Sequence, residues 1–184
     1  MTTLEQLTRE AVACTACSLA ATRQRVVVAS GSPSARLIIV GEAPGRSEDE
    51  GGAPFIGRSG QLLRATLAEL AGLGDEDYYV TNVVKCRPPS NRTPTTREVA
   101  ACRPWLEQQL PLLAGRVIAA VGLTATKALM GGSPTMAAVH GRPVSLGTRV
   151  VVPTYHPAAA LRGDPDVVAA FRKDVLAVAQ ELAR

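Results

Sequence analysis

Two runs, Leu37–Val40 (LIIV) and Val117–Val121 (VIAAV), have no polar position on either face. A strand with one wetted face alternates apolar and polar residues, so strands without alternation are covered on both sides, as in parallel sheets. Further strands read at Val26–Ala29, Tyr78–Val84 and Arg149–Pro153. Between them the spacing turns helical. Residues 4–22 bring Leu4, Leu7, Ala11 and Leu19 to one face, and Gln61–Ala71 forms a second helix, with Ser59 as N-cap and Gly72 as stop. Thr95 and Glu98 fit a capping box, so a third helix starts near Thr96 and carries Cys102, Trp105 and Leu106, with Pro104 as an irregularity. Thr124–Met130 and about Val167–Ala183 complete the helices. Strands alternating with helices predict an α/β protein with a mostly parallel central sheet between helical layers. At 184 residues the chain is read as one domain, 1–184, without repeats or low-complexity linkers.

The longest apolar runs are too short to cross a bilayer, and the polar start MTTLEQLTRE lacks a basic region followed by an apolar stretch. The reading is a soluble, cytoplasmic protein. Its net charge of +4 has one source: Lys85–Arg103 holds Lys85, Arg87, Arg92, Arg97 and Arg103 against Glu98, while the remainder balances at 15 basic and 15 acidic residues. Such clustering points to an anionic partner met at one place, against the plainer alternative of a solvated basic face.

Four cysteines, Cys14, Cys17, Cys86 and Cys102, are spaced C-x2-C and, far downstream, C-x15-C. In an intracellular protein this arithmetic favours metal over disulfides, while leaving zinc and an iron-sulfur cluster both open. Unligated buried cysteines would not explain the paired spacing. The second pair brackets the basic segment, so whatever the thiolates hold ties down a loop bearing Arg87, Asn91 and Arg92. That suits a structural role better than a redox one.

In open α/β sheets the site lies beyond the carboxyl ends of the strands. This selects three loops: Gly41–Gly60, Lys85–Thr95 and Thr154–Arg162. The first, GEAPGRSEDEGGAPFIGRSG, lacks the Gly-Lys-Ser/Thr ending of a phosphate loop and the G-x-G-x-x-G of a dinucleotide site, and it carries four carboxylates. Asp49 and Glu50 read as solvated turn acids, whereas Glu42, directly after the strand, falls where chemistry is placed.

The segments GEAPGRSED, PFIGRSG, TNVVKCRPPSNRTPT, ACRPWL and YHPAAALR, with the four cysteines at these intervals, resemble the iron-sulfur (family 4) uracil-DNA glycosylases across Cys14–Arg162. The resemblance implies a uracil-DNA glycosylase-like three-layer αβα fold and a 4Fe-4S cluster on Cys14, Cys17, Cys86 and Cys102. It also implies excision of uracil from DNA, leaving an abasic site, by what is expected to be a monomer. The opening loop would then hold a flipped uracil. Gly41 and Ala43 would line it, and Phe55, otherwise an ordinary core residue, would supply a flat face. The amide of Asn82, which could equally cap a turn, would accept from uracil N3–H and donate to O4, a pattern cytosine reverses. Glu48 would face the position of the thymine methyl. Cleavage leaves positive charge on the sugar and negative charge on uracil. His156 would donate to uracil O2, and Glu42, assisted by Asn91, would orient water. Arg58, Lys85, Arg87, Arg92 and Arg162 are the candidates for phosphate contacts. His140 is assigned no role.

Two departures from relatives matter. Ala43 stands where the best-known branch of the superfamily carries a water-positioning aspartate, which leaves Glu42 and Asn91 as the polar candidates. Between Cys86 and Asn91 there is no histidine, so covalent capture of the product, known in one relative, is not expected. Glu42 also argues against a sister branch of broader base specificity, which lacks an acid after the first motif glycine. The rival readings are a cluster-stabilised nucleic-acid-binding module without catalysis and an electron-transfer protein. A passive binder has no use for Glu42, Phe55, Asn82 and His156 together, and no docking motif supports electron transfer.

Overall fold

The computed structural model describes residues 3–184. Its elements are α1 (Leu4–Val12), β1 (Ala29–Gly31), β2 (Leu37–Gly41), α2 (Arg46–Gly51), α3 (Arg58–Ala71), β3 (Tyr78–Asn82), α4 (Thr96–Gln109), β4 (Val117–Val121), α5 (Leu123–Met130), α6 (Met136–Val139), β5 (Val144–Leu146), β6 (Arg149–Thr154), α7 (Pro157–Ala160) and α8 (Pro165–Leu182). The strands form one sheet in the order β1-β3-β2-β4-β6-β5. The four inner strands are parallel, and the short edge strands β1 and β5 run antiparallel to them. The three-layer αβα architecture with a mostly parallel sheet is therefore borne out.

The two-faced burial follows residue by residue from strand geometry, because successive side chains point to opposite faces. Leu37 and Ile39 of β2 join Val80, Ala119, Val121 and Val152 in packing against Leu63 and Leu67 of α3 and Phe171, Val175 and Val178 of α8. Ile38 and Val40 turn the other way and meet Ile118, Ala120 and Val151 with Cys102 and Leu106 of α4 and Ala125 of α5. Both β2 and β4 are buried at every position.

Several boundaries differ from the sequence reading. The helix expected over 4–22 stops at Val12 and resumes only as a short 3-10 turn at Ser18–Ala21, because the intervening Cys14–Cys17 segment leaves the helix axis. The first strand lies at Ala29–Gly31, and Val27 instead donates its N–H to Lys85 O at 2.8 Å. β3 ends at Asn82, after which Val83 and Val84 donate to Gly41 O and Glu42 O, at 2.9 and 3.0 Å, so the two chains stay tied just where they leave the sheet. Helix α3 begins one turn earlier than expected: Gly57 is the N-cap, and Ser59 lies inside the first turn. The capping box at Thr95 and Glu98 forms as read, and α4 runs through Pro104. The edge strand β5 and the short helices α2, α6 and α7 carry too few periodic residues to have been read. Among the described residues no helix is long and apolar enough to cross a membrane.

Candidate active site

At the carboxyl ends of β2, β3, β4 and β6 the loops separate around a cleft of about 450 Å³. It lies where the chain, having laid β3 on one side of β2, crosses to lay β4 on the other, the switch point at which α/β sheets open a crevice. The cleft gathers Glu42, Ala43, Glu48, Phe55, Asn82, Asn91, Arg92, His156 and Arg162. The three loops chosen from sequence all contribute. A fourth, Gly122–Leu123 after β4, was missed, as was Ser59.

Phe55 is buried and holds a left-handed backbone, φ +56°, a conformation that is strained for a bulky side chain. Two glycines make it possible. A Cβ on Gly60 would lie 1.8 Å from Phe55 O, so only glycine lets α3 start against this turn. A Cβ on Gly41 would lie 2.6 Å from the Phe55 ring and 2.4 Å from Asn82 Oδ1. Gly41 thus supports the ring and the amide from behind.

Asn82 is only 2% exposed at the end of β3, and its side-chain amide has no hydrogen-bond partner among the described residues. Buried amides ordinarily find partners. This one faces the cleft instead.

His156 follows β6 and caps α7, with Nδ1 accepting the Ala158 N–H at 3.1 Å. A nitrogen that accepts carries no proton, so the neutral ring bears its hydrogen on Nε2. Burial, reinforced by the Arg162 charge and only partly opposed by Glu48, brings its pKa down to about 4. The ring lies 6.3 Å from that of Phe55, inclined by 27°. His156 is therefore a neutral donor beside a flat apolar face.

Glu42 is held by a hydrogen bond from the Thr124 hydroxyl at the start of α5. Thr124 is a site residue that the sequence reading missed, its only signal being its place two residues after the glycine that ends a buried strand. Glu48 is 8% exposed and uses both carboxylate oxygens on backbone, accepting from Gly45 N–H at 3.0 Å and Gly57 N–H at 2.8 Å. It lines the cleft while holding the loop closed across α2.

Asp49 is not a solvated acid. It is 1% exposed and accepts the N–H groups of Gln24 and Arg25 at 2.9 and 3.2 Å. Glu50 does face solvent, paired with Arg46 at 2.7 Å.

The basic segment is less of a patch than its sequence suggests. Lys85 is corrected outright: it is 1% exposed, and its ammonium donates to Thr81 Oγ1, Asn82 O and Gln109 Oε1 at 2.6, 2.7 and 2.5 Å. Burial lowers its pKa to about 7. A phosphate outside cannot reach it. Arg103 pairs with Glu107 on the same helix. Arg92 lines the cleft but also grips buried Glu98 with two bonds of 2.8 and 2.7 Å. Arg162 lines the cleft, whereas Arg58 and Arg87 lie outside its lining. Arg58 is exposed on the first turn of α3, and Arg87 donates through Nε to Asn91 Oδ1 at 2.6 Å. Ser90 and Asn91 both adopt positive φ, near +55°, in this loop.

The four cysteines, 88 residues apart in sequence at the extremes, line one small cavity together with Arg23, Val84 and Trp105. Three of the sulfurs receive N–H donors: Cys14 from the Trp105 indole at 3.4 Å, Cys86 from Arg23 at 3.4 Å, and Cys102 from the Lys85 backbone at 3.2 Å. Donors aimed at sulfur suit thiolates. Among the described residues no three His, Cys, Asp or Glu side chains are grouped so as to hold a single ion.

Fold and cleft together define the carboxyl-end crevice of a mostly parallel α/β sheet, lined by an amide, an imidazole N–H and an aromatic ring. Residues 28–181 match the family model of the Uracil DNA glycosylase superfamily. The chain is 46% identical over 151 residues to a type-4 uracil-DNA glycosylase of Thermotoga maritima, covering 81% of this chain and 78% of that one. To the type-4 enzyme of Pyrobaculum aerophilum it is 44% identical over 171 residues, 88% and 86% of the two chains. A type-5 uracil-DNA glycosylase of the same organism is 34% identical over 145 residues, 70% of this chain and 63% of that one. The chain belongs to the uracil-DNA glycosylase superfamily and, within it, to the type-4 family.

Proposed function

We propose that this protein excises uracil from DNA by gripping the extruded base in the cleft and hydrolysing its bond to deoxyribose. It is a DNA repair glycosylase, a hydrolase of N-glycosyl bonds, as its type-4 relatives are named. The observation that carries the residue assignments is the buried, unpartnered amide of Asn82 facing the same cleft as Phe55 and the Nε2–H of His156.

In this reading the uracil ring lies against Phe55, and Asn82 accepts from N3–H and donates to O4. Cytosine presents the reverse pattern and leaves the amide unpaired, a loss buried sites punish heavily. Glu48, fixed by two backbone donors, stands against the C5 position and excludes thymine by occupying space it cannot yield. As the bond to the sugar breaks, negative charge gathers at uracil O2 and N1, and the neutral imidazole of His156 donates to O2. The sugar's positive charge is offset by Glu42, which Thr124 orients and which holds the attacking water with help from Asn91. Water adds to C1′ and uracil leaves, so the products are free base and an abasic site. Arg92 and Arg162 at the cleft, with Arg58 and Arg87 beyond it, contact phosphates.

Cys14, Cys17, Cys86 and Cys102 would hold a 4Fe-4S cluster. A lone zinc needs its sulfurs about 3.8 Å apart around one point, whereas thiolates spread around a shared cavity and approached by N–H donors fit a polynuclear centre. When bound, the cluster supplies a covalent cross-link among the N-terminal segment, the end of the β3 loop and α4. The Asn91 loop is thereby held in place before DNA arrives. The protein acts as a monomer on the chromosome, from the cytoplasm.

The test is uracil release from an oligonucleotide with one uracil, read as alkali-sensitive breaks beside matched thymine and cytosine controls, on protein assayed for iron and acid-labile sulfide. Breaks confined to uracil support the reading. No release by protein carrying four irons per chain would reduce it to a nucleic-acid-binding module.

A further inference from the structure

We propose that Asp174 and His140 form a clamp that positions His156, Asp174 through the backbone N–H of Tyr155 and His140 through the Tyr155 ring and the Asp174 carboxylate. Neither residue lines the cleft, so neither touches the base, and the inference rests on the role given to His156 above.

Asp174 lies in the middle of α8 and is completely buried. A carboxylate there is costly unless both oxygens are engaged. One accepts the Tyr155 N–H at 2.8 Å and the other bonds to His140 Nδ1 at 2.8 Å. Tyr155 stands one residue beyond the end of β6. Past the strand end its N–H has no place in the parallel ladder, and the helix-borne carboxylate takes that place one residue before His156.

The segment around His140 reinforces the same point from the other side. The His140 ring packs 4.8 Å from that of Tyr155, and the next residue, Gly141, donates its N–H to Pro153 O at 2.8 Å. Gly141 has φ +66°, and a Cβ there would lie 2.8 Å from Asp174 Oδ1. His140, Gly141 and Asp174 thus grip the chain at Pro153 and Tyr155. His156 itself is bounded on its far side by Gly122, whose Cβ position would be 3.3 Å from His156 Cβ and Cδ2. With the ring confined on one side and its backbone pinned on the other, the direction of Nε2–H is fixed before substrate binds. Preorganised donors of this kind carry much of the stabilisation of developing charge.

The experiment compares Asp174→Ala, Asp174→Asn and His140→Ala in the full chain, measuring kcat and KM for uracil release and the nitrogen-15 NMR signals of the His156 ring in the free protein. Asp174→Ala and His140→Ala should lose roughly ten- to a hundredfold in kcat, the scale of a displacement near 1 Å, with KM within about twofold. Their His156 signals should broaden or depart from the Nε2–H pattern. Asp174→Asn should recover most of the rate, since its amide oxygen can accept from Tyr155 while its NH2 donates to the other tautomer of His140. Wild-type kcat in folded Asp174→Ala or His140→Ala overturns the proposal, as do unchanged His156 signals or an Asn variant as slow as the Ala variant. If Asp174→Ala does not fold, His140→Ala decides, because its side chain is 25% exposed and its removal leaves the Tyr155 bond in place. Failure of the wild-type protein to release uracil would count against the functional reading alone, since the NMR comparison does not depend on turnover.

Discussion

Replacing Gly41 by alanine puts the smallest possible side chain behind the two groups that hold the base. Its Cβ would stand 2.4 Å from Asn82 Oδ1 and 2.6 Å from the Phe55 ring, where ordinary contact begins at 3.4 Å. Asn82 must therefore retreat by about 1.0 Å and the ring by about 0.8 Å, distances obtained by subtraction. Neither has room behind it: Asn82 is 2% and Phe55 7% exposed, so the only free direction is into the cleft. Overpacking of a filled core costs about 1–3 kcal/mol, which in a domain of this size lowers the melting temperature by roughly 2–4 °C per kcal/mol. The larger effect is on rate. A misplacement near 1 Å costs on the order of 10²-fold, so kcat/KM for uracil release should fall about a hundredfold while affinity for undamaged DNA, set by phosphate contacts, is unchanged. Single-turnover kinetics with the uracil oligonucleotide, beside a binding titration, separates the two. A folded Gly41→Ala protein with the wild-type rate would refute the placement of uracil between Asn82 and Phe55.

Asn82→Ala removes the amide that distinguishes uracil from cytosine and should lower uracil release by about 10- to 100-fold, the worth of one to two buried hydrogen bonds, with little change in melting temperature. Because the native pKa of His156 is depressed to about 4, the folded protein binds fewer protons than the unfolded chain between about pH 6.5 and 4. Its contribution to stability is complete above pH 6.5 and is lost as pH falls toward 4, by up to about 2–3 kcal/mol. Denaturant melts at pH 7 and 4.5 should show this loss in the wild type and not in His156→Gln. Arg92→Ala should cost both stability and DNA affinity, since it also leaves buried Glu98, whose pKa Arg92 and the α4 cap hold at about 2, without its cation. Arg162→Ala should lower DNA affinity and flatten its salt dependence while leaving the melting temperature unchanged.

The layered fold was legible because its signal is local: strands with no polar face, helices with one apolar stripe, and a capping box at Thr95 all act within a few residues. The loops that line the cleft were legible for a related reason, since strand order places them at one end of the sheet. Motif resemblance then named Phe55, Asn82 and His156, all of which line the cleft. What sequence could not supply was the fate of each polar group, because that depends on partners far along the chain. Lys85 reads as part of a basic surface until Gln109 and Thr81 close over it. Asp49 reads as a solvated acid until the Gln24–Arg25 backbone arrives. Thr124 carries only the faint signal of its place after a buried strand and His140 carries none, and they acquire roles through Glu42 and Asp174, which lie 82 and 34 residues away. Periodic burial thus determined the layers and the end of the sheet at which the site would open. Tertiary packing alone decided which charges face the cleft and which are consumed inside, since a buried charge survives only where distant chain segments bring it a partner.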